Sequence, residues 1–252
     1  VTENAATNAG TDGSITVCDN GAAIDLFAQL GGTPQGGGTW SGPSAVVGGQ
    51  YDPATMTPGA YVYTVTGVAP CTNATATVTV TENAATNAGT DGSITVCDNG
   101  ASVDLFVQLG GTPQAGGTWS GPSAVVGGQY DPATMTPGAY SYTVIGVAPC
   151  TNATATVTVT ENAATNAGTD GSITVCDNGA SVDLFVQLGG TPQAGGTWSG
   201  PSAVVGGQYD PATMTPGAYS YTVIGVAPCT NATATVTVTE NAATNAGTDG
   251  SI

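Results

Sequence analysis

The sequence predicts an all-β protein made of small β-sandwich domains in tandem. The segment VTENAATNAGTDGSI occupies residues 1–15 and returns at equal intervals, at 80–94, 159–173 and 238–252. A period of about 80 residues exceeds the usual solenoid repeat of about 20 to 50 residues, and it fits domains that each close their own core. Within a repeat, apolar and polar residues alternate in several segments, and no segment has helical periodicity.

The strands of the first repeat follow from this alternation. SITV predicts a strand with Ile15 and Val17 facing inward. AIDLFAQL predicts a second strand, because polar Asp25 and Gln29 oppose four apolar residues that share the other face, namely Ile24, Leu26, Ala28 and Leu30. GTWS, around Trp40, and a short piece near GGQYD predict the next strands.

Two longer strands complete the predicted repeat. AYVYTVTG alternates so that Tyr61, Tyr63 and Val65 face inward. In ATATVTVT, threonines facing water alternate with four inward residues, namely Ala74, Ala76, Val78 and Val80. Dipeptides such as Asn20-Gly21 and Pro58-Gly59 between the strands are typical of turns. Each repeat is therefore expected to hold six or seven strands.

The period also predicts the domain organisation. Full repeats are expected at 4–82, 83–161 and 162–240, with the end of a preceding repeat at 1–3 and the start of a fourth at 241–252. The numbered chain is thus expected to be a window on a longer array. Repeats two and three are identical, and repeat one differs from them at six positions. Such near-identity indicates that one fold is copied for length or number.

Composition excludes several classes of function. The 252 residues include no Lys, Arg or His, and 17 carboxylates give a net charge of −17. Without cations the chain cannot neutralise phosphates, which argues against nucleic acids and anionic membrane surfaces as partners. Histidine-based catalysis and histidine metal ligation are also excluded. No acid pair suits general acid–base work, so no enzyme activity is expected. No apolar run is long enough to predict insertion in a membrane.

The combined motifs carry a resemblance to a known family. NAGTDGSITVCDNGAAIDLF and GAYVYTVTGVAPCTNATATVTVTE, together with GGTWSGPS and YDPATMTPGAY, resemble the immunoglobulin-like repeats of polycystic-kidney-disease (PKD) type in giant surface adhesins of gliding and related Bacteroidota. The resemblance covers every repeat. It implies tandem immunoglobulin-like domains in an extracellular, cell-surface protein, of which the filament that gliding cells move along their surface is one example.

The predicted core centres on aromatic residues. Trp40 takes the place of the strand C tryptophan of an immunoglobulin-like domain, and its copies are Trp119 and Trp198. Leu26, Tyr61 and Tyr63 are expected to pack with it. A tryptophan in so small a core is more often a packing residue than a platform for a sugar.

The six cysteines predict disulfide bonds. They fall at the same two places in each repeat, with no CxxC pattern and no His to suggest zinc: Cys18, Cys71, Cys97, Cys150, Cys176 and Cys229. Disulfides place the chain in an oxidising, extracellular compartment. Two pairings remain open. Cysteines pair within each repeat if both lie at one pole, or Cys18 bonds to Cys150 of the next repeat if they lie at opposite poles.

A joint between repeats is the one candidate metal site. Asp19, Glu82 and Asp91 are expected near it, and Ca²⁺ takes six to eight oxygen ligands. The alternative is a solvated acidic linker, and no other cofactor is expected.

The sequence therefore favours a structural role, as the stalk or fibre of a long surface adhesin whose partners are neighbouring repeats and other copies in a fibre. One alternative is a multivalent ligand-binding or glycan-binding array. Another is lateral assembly of repeats into a multi-chain sheath, which requires uncovered edge strands.

Overall fold

The computed structural model describes residues 3–244, so parts of the predicted terminal fragments, 1–2 and 245–252, lie outside the described residues. The first repeat contains β1 Gly13–Cys18, β2 Ile24–Asp25, β3 Thr39–Ser41, β4 Gln50–Tyr51, β5 Gly59–Val65 and β6 Ala74–Asn83. The second contains β7 Gly92–Cys97, β8 Val103–Asp104, β9 Thr118–Ser120, β10 Gln129–Tyr130, β11 Gly138–Val144 and β12 Ala153–Asn162. The third contains β13 Gly171–Cys176, β14 Val182–Asp183, β15 Thr197–Ser199, β16 Gln208–Tyr209, β17 Gly217–Val223 and β18 Ala232–Asn241. Each repeat also has one short 3-10 helix, at Phe27–Gln29, Phe106–Gln108 and Phe185–Gln187.

Two sheets form the first repeat. Its larger sheet has the strand order β1-β6-β5-β3, in which β1 runs parallel to β6 and the other pairs are antiparallel. The smaller sheet consists of β2 and β4, also antiparallel. The third repeat has the same arrangement, with sheets β13-β18-β17-β15 and β14-β16. The predicted all-β class with tandem sandwich domains is confirmed.

The core of the first repeat lies mainly on the two long strands. Tyr61 and Tyr63 of β5 are buried, as are Val78 and Val80 of β6, while Thr79 between the two valines is exposed. Burying one such side chain fully stabilises the fold by about 1.5–3 kcal/mol. The strict alternation predicted for these segments therefore matches the structure, and it fixes which face of the sheet closes the core.

The strand predicted for AIDLFAQL is wrong. The strand β2 ends at Asp25, whose Oδ1 accepts a hydrogen bond from the N–H of Phe27 at 2.9 Å and so starts a turn. The chain continues as the 3-10 helix, and Leu26 and Leu30 face the core from either end of it. Ala28, predicted to face inward, is exposed, and its counterpart Val107 is 68% exposed.

By spatial compactness the chain divides into two units. One runs to Gly92 and adds Leu109–Ser120 and Tyr140–Val157, and the other comprises Ser93–Gln108, Gly121–Ala139 and the chain from Thr158 onward. The division passes through the second repeat, so the repeat boundaries after residues 82 and 161 stay predictions from the sequence period. In the described part of the chain, no helix has the length and apolar character needed to cross a membrane.

Candidate functional site

Disulfide bonds join neighbouring repeats. Cys18, the last residue of β1, is bonded to Cys150, which precedes β12 of the second repeat. Cys97 is bonded to Cys229 in the same way, and the two cysteines of each bond are separated by 132 residues of sequence. Of the two pairings that the sequence left open, the structure has the staggered one.

The topology of the sheet explains this pairing. Because β1 runs parallel to β6, both strands end at the same pole, and Cys18 lies opposite Asn83 in the register. Asn83 is the last residue of β6, after which the chain continues to β7. The second cysteine of a repeat comes just before the last strand, and therefore lies at the opposite pole, where the previous repeat ends. A bond within one repeat would have to cross the whole domain.

Hydrogen bonds from Asn83 reinforce the first joint. Its Nδ2 donates to the carbonyl oxygen of Ala148 at 2.7 Å. Its own carbonyl oxygen accepts the N–H of Asp19 at 3.0 Å. The same oxygen lies 3.3 Å from Sγ of Cys150, which is itself buried. One asparagine therefore contacts both sides of the disulfide.

Two further bonds fix the chain that leaves the first repeat. Oδ1 of Asp19 accepts the N–H of Ala85 at 2.9 Å. The hydroxyl of Thr86 donates to the carbonyl oxygen of Thr151 at 2.7 Å. Ala85 and Thr86 belong to the connection after β6, so this connection is held from both repeats.

The second joint has the same geometry. Asn162 donates to the carbonyl oxygen of Ala227 at 2.7 Å and accepts the N–H of Asp98 at 3.0 Å. Oδ1 of Asp98 accepts the N–H of Ala164 at 2.9 Å. The joint is thus a periodic feature of the array.

Two predicted disulfide cysteines are thiols in the structure. Cys71 is partly buried and Cys176 is exposed. Their surroundings nevertheless match the joints. Asn4 donates to the carbonyl oxygen of Ala69 at 3.0 Å, as Asn83 does at its own joint. Oδ1 of Asp177 accepts the N–H of Ala243 at 2.9 Å. Each thiol therefore lies in one half of a joint.

The predicted calcium ligands have separate roles. Asp19 caps the connection after β6, Glu82 accepts the hydroxyl of Tyr51 at 2.5 Å, and Oδ1 of Asp91 accepts the N–H of Thr156 at 2.8 Å. Throughout residues 3–244, no three His, Cys, Asp or Glu side chains are grouped so as to hold a metal ion. The calcium prediction thus gains no support from the geometry.

The predicted core residues differ in burial. Tyr61, Tyr63 and Leu26 are buried. Trp40 is only partly buried and packs on Tyr63 with ring centroids 5.0 Å apart. Trp119 and Trp198 are likewise partly buried and have the same contact with a tyrosine in their own repeats. The tryptophans therefore border the core, with part of each side chain facing solvent.

The Tyr51–Glu82 pair was missed by sequence reasoning. Tyr51 is fully buried, and its burial, followed by the hydrogen bond to Glu82, raises the pKa of its hydroxyl far above the ordinary value. The signal was available in the GGQYD segment, where an aromatic residue immediately precedes a turn. The role of Asn83 had a weaker signal, because asparagine beside a strand end usually indicates a solvated turn.

Among known proteins, the chain is similar only to proteins of solved structure. A three-domain fragment of the titin I-band matches with a TM-score of 0.44 and 11% identity, covering 92% of this chain and 97% of that one. The extracellular domains 3–5 of Drosophila OTK match with a TM-score of 0.37 and 11% identity, covering 96% and 98%. The insect immune protein hemolin matches with a TM-score of 0.36 and 14% identity, covering 95% and 76%. No family model matches the sequence, and comparison with curated proteins gives no match.

Proposed function

We propose that this chain is a structural repeat region of a long extracellular surface adhesin or filament, in which disulfide bonds carry load from one repeat to the next. The observation that supports this most directly is the staggered pairing of Cys18 with Cys150 and of Cys97 with Cys229. A disulfide that serves only the stability of one domain would lie inside that domain. These bonds instead bridge domains.

The bridges also overlap along the chain. Cys97 lies inside the loop closed by Cys18 and Cys150, and Cys150 lies inside the loop closed by Cys97 and Cys229. Tension that enters at Cys18 therefore passes through one disulfide into the second repeat and through the other into the third. In this proposal the partner of each repeat is its neighbour.

Charge and redox chemistry support an extracellular place for the filament. Disulfides persist in oxidising compartments and are rare in the cytosol. The charge of −17, with no cation to attract it, keeps copies apart by repulsion. The resemblance to the adhesins of gliding Bacteroidota extends the proposal to a filament that a cell moves along its surface.

The carboxylates of the first repeat support a structural role over an enzymatic one. Each accepts a hydrogen bond that shapes a turn, a strand end or a buried hydroxyl: Asp12 from Thr77, Asp19 from Ala85, Asp25 from Phe27, Asp52 from Ala54 and Glu82 from Tyr51. Each of these carboxylates therefore has a role in shaping the fold.

Light scattering tests whether one chain or several make the filament. The variant Cys71→Ser with Cys176→Ser removes the thiols that could cross-link copies by accident, and its mass is measured with and without reductant. A monomer of 24.3 kDa in both conditions is the expected result. A larger assembly that survives dilution would replace the single-chain stalk with a multi-chain fibre.

A further inference from the structure

A surface cleft lies beside the partly buried tryptophan of a repeat. In the first repeat its volume is about 630 Å³, and in the third about 650 Å³. Its main lining residues in the first repeat are Asp25, Phe27, Gly36, Trp40, Gly49 and Tyr63. The joint between repeats uses none of them.

Tyr63 holds the walls of this cleft in place. Its ring packs against Phe27 at 5.3 Å and against Trp40 at 5.0 Å, measured between centroids. Its hydroxyl donates to the carbonyl oxygen of Gln35 at 2.7 Å and accepts the N–H of Gly38 at 2.7 Å. Tyr221 makes the same contacts in the third repeat. The glycine-rich rim is therefore preorganised, which lowers the entropic cost of binding a ligand.

Two polar groups face the space beside Gly49. A Cβ atom at Gly49 would lie 3.8 Å from Oδ1 of Asp25 and 3.9 Å from Nε1 of Trp40, and the φ angle of +77° further disfavours any other residue. Within the described chain, no residue accepts a hydrogen bond from Nε1 of Trp40. The cleft thus offers a carboxylate acceptor and an indole donor beside an aromatic surface.

We propose that this cleft binds a neutral saccharide chain. Anionic ligands are disfavoured because the cleft is lined by a carboxylate and the protein has no Lys, Arg or His. A sugar ring has an apolar C–H face that stacks on an aromatic side chain, and its hydroxyls both donate and accept hydrogen bonds. Asp25 accepts from one hydroxyl and the indole N–H of Trp40 donates to another.

The open shape of the cleft favours a polymer over a small organic cation. Recognition of quaternary ammonium groups uses aromatic cages that surround the cation. Here the partly buried Phe27 and Trp40 form an open wall, and both rings pack on the buried Tyr63 behind it. A saccharide chain can cross such a wall without being enclosed. Because all three repeats carry the same three aromatic residues and the same aspartate, weak sites add to useful avidity along the array.

Position 36 allows the cleft to be blocked without disturbing the core. A Cβ at Gly36 would meet no atom within 4 Å, and the other two repeats already have Ala115 and Ala194 there. The blocking variant combines Gly36→Gln, Ala115→Gln and Ala194→Gln. The matched control places the same side chain just outside the cleft, with Val47→Gln, Val126→Gln and Val205→Gln, at positions that are each 81% exposed.

Intrinsic fluorescence is a direct readout, because the only tryptophans of the protein are Trp40 and its two copies. Hexasaccharides of β-1,4-glucose, β-1,3-glucose, β-1,4-mannose and β-1,4-galactose are titrated, with tetramethylammonium chloride as the cation probe. We expect saturable binding of at least one saccharide with a Kd of about 1 mM or tighter. The blocking variant should weaken it at least tenfold, while the control variant stays within twofold of the original protein.

Three outcomes would overturn the proposal. The first is no saturation with any of the four saccharides at about ten times that concentration. The second is equal binding by the blocking variant and the control. The third is binding of tetramethylammonium but of no saccharide, abolished when Asp25→Asn, Asp104→Asn and Asp183→Asn are combined, which would identify a cation site.

Discussion

Reducing the disulfides should lengthen the chain under force by a predictable amount. With both bonds reduced, the backbone from Cys18 to Cys229 comprises about 210 residues and extends to about 740 Å, at about 3.5 Å per residue. With both bonds intact, the shortest covalent path crosses to Cys150, returns along the chain to Cys97 and crosses to Cys229. Each crossing adds a Cα–Cα distance of 5.0 Å. The returning segment has about 53 residues, so the oxidised path extends to only about 200 Å.

Single-molecule force spectroscopy, with handles at the two ends of the chain, measures this difference. Wild-type protein alone cannot distinguish the staggered pairing from pairing within repeats, because the latter leaves two segments of about 26 residues each in the load path, nearly the same total length. The variant Cys18→Ser with Cys150→Ser separates them. With staggered pairing, the bond from Cys97 to Cys229 survives in this variant. The load path then runs through about 79 residues from position 18 to Cys97 and extends to about 280 Å.

Pairing within repeats gives a different value for the same variant. Cys71 and Cys97 would lose their partners, and the path from position 18 to Cys176 would lengthen to about 158 residues, or about 560 Å with the last crossing. A measured length of about 560 Å would therefore refute the load path proposed here. The complementary variant, Cys97→Ser with Cys229→Ser, should extend to the same length as the first variant. Its load path runs from Cys150 to position 229, which is as many residues as from position 18 to Cys97.

Other predictions concern the joint, the buried tyrosine and the free thiol. Asn83→Ala removes the bond to Ala148 and should lower the free energy of unfolding by about 1 kcal/mol in urea titrations, and an unchanged value would show that the bond is dispensable. The pKa of Tyr51 is raised in the folded state, so its hydroxyl stays protonated there at a pH at which the unfolded tyrosine ionises. The contribution of Tyr51 to stability is therefore complete below about pH 10. At higher pH this contribution falls by about 1.4 kcal/mol per pH unit. Tyr51→Phe should lessen that decline by about 1 kcal/mol between about pH 10 and about pH 11, and an identical slope in both proteins would contradict the assignment. In a chain extended by a fourth identical repeat, peptide mapping without reduction should show Cys176 bonded to the second cysteine of the added repeat, whereas a persistent thiol at Cys176 would contradict a periodic joint.

The two long strands could be predicted from sequence because their alternation extends over many residues. AIDLFAQL could not, because Leu26 and Leu30 share one face in a strand and are also both buried at the two ends of the short 3-10 helix that forms instead. Only the residue midway between them distinguishes the two, and Ala28 is too small and weakly apolar to do so. Its counterpart Val107 suggested burial but is exposed.

The disulfide pairing was undecided for a different reason. It depends on whether Cys18 and Cys71 lie at one pole or at two, and hence on whether β1 runs parallel or antiparallel to the last strand. Alternation reports which face of a strand is buried but carries no information on strand direction. The hydrogen bonds of Asn83 could not be predicted either, because they form only where two repeats are in contact.

The overlapping disulfides also give the molecule redundancy against cleavage. The four bonded cysteines divide the chain into three intervals, from Cys18 to Cys97, from Cys97 to Cys150 and from Cys150 to Cys229. If a protease cuts one interval, or any two of them, every remaining piece that carries a bonded cysteine is still covalently linked to both Cys18 and Cys229. Separation of Cys18 from Cys229 requires a cut in each of the three intervals. A filament connected in this way can be damaged repeatedly in a hostile medium before it is severed.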